Sequence, residues 1–63
     1  MKNFTIRNNI DSVTIEGEAG EFTFEFSQRR KKAYKTSLSI LLREYGTEAV
    51  GTVLHYENIF VGR

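Results

Sequence analysis

Five cations fall within the eight residues of QRRKKAYK, positions 28–35: Arg29, Arg30, Lys31, Lys32 and Lys35. Guanidinium and ammonium groups at this density suit one kind of chemistry, the binding of phosphates or of carboxylates on a partner. Placed in the first turns of a helix, they would act together with free backbone N–H groups and the positive end of the macrodipole. That same dipole disfavours each cation by about 0.3–1 kcal/mol, so folding alone does not account for the run. Two plainer readings stand beside anion binding. One is a solvated helix face, since Arg and Lys are good helix formers. The other is an internal partner: residues 11–25 carry Asp11, Glu16, Glu18, Glu21 and Glu25 and no base. The net charge of +1 therefore conceals a strong asymmetry along the chain.

Other reactive side chains are sparse. Glu16 and Glu21 are expected to face each other across two strands; neighbouring carboxylates can divide acid and base roles, but no cleft, partner histidine or metal-binding spacing supports that here, and a wet sheet face is the preferred reading. His55 is the single histidine, with no second ligand at metal-binding spacing, and Ser37 and Ser39 have no base beside them. There is no cysteine, hence no thiolate ligand or disulfide, and neither GxGxxG nor GxxxxGK[ST] occurs. Tyr34 could stack on a base, but its place on an apolar helical stripe assigns it to the core. No catalytic residue, metal site or cofactor is expected, and the chain reads as non-enzymatic.

The elements that position these residues follow from periodicity. Phe4 and Ile6, then Val13 and Ile15, then Phe22, Phe24 and Phe26 alternate with polar residues, predicting strands over about 2–7, 12–16 and 21–27. Asn8–Asp11 and Gly17–Gly20 are turn-forming segments between them. With four-residue loops, Ile6 would face Val13, Phe4 would face Ile15, Ile15 would face Phe22 and Val13 would face Phe24. Tyr34, Leu38, Leu41, Leu42 and Tyr45 then recur at helical spacing, predicting a helix over about 28–45 closed by Gly46. Thr47 fits an N-cap before a second element over about 47–57. Val50, Val53 and Leu54 favour a helix there, and Gly51 with its β-branched neighbours leaves a strand open. Asn58 would end it, leaving IFVGR as an apolar tail suited to a sheet edge.

The fold expected is α+β: a three-stranded antiparallel meander packed on one amphipathic helix, with Val53, Leu54 and Phe60 closing the core. At 63 residues, with no disulfide or metal staple, the chain forms one domain with little spare core. Ile59, Phe60 and Val61 are therefore candidate contacts of a homodimer. The function expected is a protein-interaction module, a regulator or inhibitor of a larger protein. The alternative is a nucleic-acid binder contacting phosphates through Arg29, Arg30, Lys31, Lys32 and Lys35, against which the near-neutral balance counts. No stretch is apolar enough to span a membrane, and a soluble cytoplasmic protein is expected.

Overall fold

The computed structural model describes residues 2–62. Strands β1 (Phe4–Asn8), β2 (Ser12–Gly17) and β3 (Gly20–Glu25) form one antiparallel sheet in the order β1-β2-β3, followed by helices α1 (Lys32–Tyr45) and α2 (Thr47–Val61). This is the α+β arrangement that the change of period from two to 3.6 predicts.

The second hairpin has the expected register, with Val13 opposite Phe24 and Ile15 opposite Phe22. Its loop is tighter than expected, because Gly17 and Gly20 also pair and leave only Glu18 and Ala19 in the turn. Neither Glu18 nor Ala19 has a positive φ, so the turn is not of the primed kind; Gly20, at φ +109°, follows it as the positive-φ residue that returns the chain to the ladder. The first hairpin corrects the expected register: Ile6 lies opposite Ile15 and Phe4 opposite Gly17. Asn8 joins the ladder and the Asn9 N–H donates to the Ser12 carbonyl at 2.8 Å, so the turn is Ile10–Asp11. A slip of two residues leaves every side chain on its own face, so hydrophobic alternation cannot register it; the tighter turn prevails by closing further backbone bonds.

After Glu25 the chain makes a 3-10 turn, Phe26–Gln28. The Phe26 N–H donates to the Asp11 carbonyl at 2.9 Å while its ring is buried. Burying this last phenylalanine of the alternating run takes a turn before the chain can rise to the helical layer. The helix expected from residue 28 consequently starts at Lys32, and Arg29 and Arg30 precede it.

Helix α1 buries Tyr34, Leu41 and Tyr45, with Leu38 packed beside them. Leu42, expected in the core, stays 46% exposed, since it is rotated about 100° from Leu41. Gly46, at φ +93°, ends α1 and serves as the N-cap of α2, so Thr47 is the first residue of that helix and not its cap. Residues 47–57 are helical, and the helix continues through Ile59, Phe60 and Val61, correcting the expected extended tail. Ala49, Val53, Tyr56 and Phe60 recur at spacings of four, three and four, so an apolar stripe carries the helix past Asn58. Arg63, the last residue of IFVGR, lies outside the described residues.

The core consists of Val13, Ile15, Phe24, Phe26, Tyr34, Leu41, Tyr45, Ala49 and Val53. Each large side chain buried here contributes about 1.5–3 kcal/mol before conformational entropy is subtracted. Ile6 and Leu54, also expected inside, are 44% and 41% exposed. Phe60 is half-buried with its ring 5.4 Å from that of Phe26.

Candidate functional site

The basic run divides into parts with different tasks. Arg29 is half-buried; its backbone N–H donates to the Phe26 carbonyl at 3.2 Å, closing the 3-10 turn, and its guanidinium donates to the same carbonyl at 3.1 Å. Arg30, Lys31, Lys32 and Lys35 are exposed. Lys31 is the N-cap of α1 without a side-chain capping bond, and the first turn holds no acid. Four cations thus surround a helix start whose own N–H groups already carry positive character.

The acidic hairpin does not neutralise them. Among the described residues the ion pairs are Lys2–Glu44 at 2.7 Å and Arg7–Glu16 at 2.5 Å, and neither includes the run. Glu25 and Lys31 line a common groove between β3 and α1 without forming an ion pair. The alternative of an internal pairing between acidic hairpin and basic run is not realised among the described residues.

The carboxylates have other partners. Glu16 and Glu21 do lie opposite each other, and the strain of that like-charge pair is relieved by Arg7 on the neighbouring strand. The Arg7 hydrogen bond holds Glu16 below the usual carboxylate range, the reverse of what a general acid needs. Glu18 accepts from the Asn3 N–H at 2.9 Å, tying the N-terminal segment to the β2–β3 turn. These residues line an open groove of about 600 Å³ beside that turn. No group of three or more metal-ligating side chains suited to an ion occurs among the described residues. Exposed His55 stacks edge-on against its neighbour Tyr56, whereas Ser37 lines the groove beside β3, so no nucleophile and base come together there.

Two tyrosines that the helical stripe assigned to the core also have polar tasks. The Tyr34 hydroxyl donates to Glu57 Oε1 at 2.9 Å, joining α1 to α2, and burial with this bond pushes its pKa up. The Tyr45 hydroxyl accepts from the Ala19 N–H and donates to the Gly20 carbonyl, both at 2.8 Å, fixing the β2–β3 turn to the end of α1.

The Tyr34–Glu57 bond and the Gly46 connection set the level of the two antiparallel helices. Counting outward from Gly46, Leu42 stands level with Val50, Leu38 with Leu54, and the basic run with Val61. Val50, Leu54, Glu57 and Val61 recur at spacings of four, three and four, a second stripe on the flank of α2 nearest α1. Leu42, Leu54 and Val61 are 46%, 41% and 51% exposed. By helical spacing, Leu42, Leu54 and Val61 thus fall on the flanks of α1 and α2 that adjoin at the Tyr34–Glu57 bond, with Val61 toward the end of α1 that carries the cations. Apolar spacing by itself assigns Leu42 and Leu54 to the core, because it carries no sign that one sheet face accommodates a single stripe from each helix.

No helix among the described residues is long and apolar enough to cross a membrane. Compared with protein-family models, with curated proteins and with solved structures, the chain gives no match.

Proposed function

We propose that this chain is a small non-enzymatic interaction module that regulates a larger protein by docking the α1–α2 seam onto it. The observation that carries the reading is the open state of Leu42, Leu54 and Val61 beside a core that is complete without them. Aliphatic side chains grouped in this way favour a protein contact. The exposed cations at one end suit a partner whose apolar patch is bordered by carboxylates, which would steer association. The test compares the immobilised protein with its Leu42→Lys/Leu54→Lys variant in capture from a cell extract. A partner held by the parent and not by a variant with an unchanged melting profile supports the seam. An identical set of captured proteins for both refutes it.

A second reading rests on Arg30, Lys31, Lys32 and Lys35, which are exposed and form no ion pair among the described residues: contact with nucleic-acid phosphates. Binding to a short duplex would then weaken steeply with salt, and replacing these four residues by glutamine would flatten the dependence, by about 0.9 in log–log slope for each phosphate no longer neutralised. Absence of binding to duplex and single strands at low salt removes this reading.

A further inference from the structure

We propose that two copies of the chain pair antiparallel through the free edges of β1, about a two-fold axis at Ile6, to form a continuous six-stranded sheet. This surface is separate from the helix seam, and the inference does not depend on the function proposed for the seam.

Both β1 and β3 are edge strands, but they differ as docking edges. β3 carries Glu21 and Glu25 on its outer face, and neither forms an ion pair among the described residues. Antiparallel self-pairing of β3 with its apolar face aligned would set these carboxylates opposite or diagonal to those of the second copy, which is unfavourable. The start of α1 also lies alongside, across the groove lined by Thr23, Glu25 and Lys31. β1 lacks such protection. Its one charge, Arg7, is already matched by Glu16.

The ladder fixes which groups of β1 are free. The Asn9 N–H bonds the Ser12 carbonyl, and the Glu18 N–H reaches the Asn3 carbonyl at 3.5 Å. In an antiparallel ladder the bonded positions alternate, so Thr5 and Arg7 also turn their backbone groups to β2. The N–H and C=O groups of Phe4, Ile6 and Asn8 consequently point away from the sheet. Pairing about Ile6 sets Ile6 against Ile6 of the second copy, and Phe4 against its Asn8 in both directions. It is the register that uses all three free positions and keeps the apolar faces continuous. It also places Arg7 of the second copy opposite Thr5, in the same cross-strand row as Glu16, so two arginines and two glutamates form a balanced cluster.

The side chains fit the same occupant. Ile6 points to the core face yet is 44% exposed, although its neighbour Ile15 is fully buried. On α2, which packs over β2, Glu57 marks the flank toward α1; Ile59, two residues on, lies on the opposite flank and is 44% exposed. A second copy joined at β1 would cover Ile6, as β-augmentation covers the flanks of an added strand.

The experiment measures the mass of the full chain in solution from micromolar to millimolar concentration, for the parent and for Ile6→Lys. The parent is expected at twice the chain mass and Ile6→Lys at the single-chain mass with its circular dichroism retained. Because the chain has no cysteine, Ile6→Cys and Thr23→Cys provide a second test should the lysine variant unfold. Cα atoms facing each other across the axis would lie about 5.5 Å apart, within disulfide range. Ile6→Cys should therefore link into covalent dimers under mild oxidation, and Thr23→Cys on β3 should not. A parent that stays at the single-chain mass throughout, a folded Ile6→Lys variant that remains dimeric, or equal cross-linking at both positions would overturn the proposal.

Discussion

Replacing Tyr45 by phenylalanine isolates the polar half of a residue whose apolar half is spoken for by Phe4 and Phe22, with ring centroids 5.6 and 6.1 Å away in edge-on contacts. The variant keeps those contacts and removes one hydroxyl, leaving the Ala19 N–H and the Gly20 carbonyl without their 2.8 Å partner. Each such bond contributes about 1 kcal/mol net, so the loss is about 2 kcal/mol. For 63 residues the expected stability is about 3–9 kcal/mol, so the variant still folds. With an unfolding entropy of about 2.1 cal/mol/K per residue, the melting temperature should fall by about 15 °C. The assay is a reversible thermal melt followed by circular dichroism, with amide exchange at Ala19 as the local readout. Protection at Ala19 should collapse toward the rate of an open turn, while amides of β1 and β2 remote from it exchange only in proportion to the loss of global stability. A melting temperature within about 3 °C of the parent, together with unchanged Ala19 protection, would refute the idea that this hydroxyl fixes the turn.

Gly17→Ala tests a different constraint, since a Cβ there would press on the Asn3 carbonyl and lie 2.9 Å from the Phe4 Cα; a loss of about 1–3 kcal/mol is expected in denaturant titration, and a neutral result would show that β1 moves freely. In acid, Glu16 and Glu44 have folded-state pKa values lowered first by their hydrogen bonds to Arg7 and Lys2. Their contribution is present above the ordinary carboxylate range and is lost as pH falls through the lowered values, so the melting temperature should drop there, and Arg7→Gln should reduce that dependence. In alkali the sign reverses for Tyr34: with its pKa raised by burial and by the bond to Glu57, it favours the fold below the ordinary tyrosine value and loses that contribution as pH rises beyond it. Ultraviolet titration should show a late-ionising phenol contributed by Tyr34, and Tyr34→Phe should remove that contribution.

The basic run was legible as an unusual charge cluster, because charge is a property of composition and needs no fold. Its division into Arg29, which closes a turn, and the four exposed cations was not, because that depends on where α1 begins. Nothing in QRRKKAYK marks Lys32 as the start. Phe26 does so from outside the run, by requiring burial at the end of β3. The pairing of Arg7 with Glu16 is not legible for a related reason: the two lie nine residues apart in the chain and meet through strand pairing.

Sequence alone determined the three strands, the face each presents and the stripe of α1, because alternation and helical spacing are local signals that survive small errors of position. The tertiary structure decided what those signals leave degenerate. A two-residue slip of β1 preserves every face, so its register was settled by turn closure and backbone bonding. The choice of helix over strand for residues 47–57, and its extension to Val61, came from burial of Ala49, Val53 and Phe60 against the sheet, which outweighs the weak propensities of Gly51 and the β-branched residues. Which leucines stay open was likewise decided by space: the sheet has room beneath the helices for one stripe from each, and Leu42 and Leu54 lie beyond it.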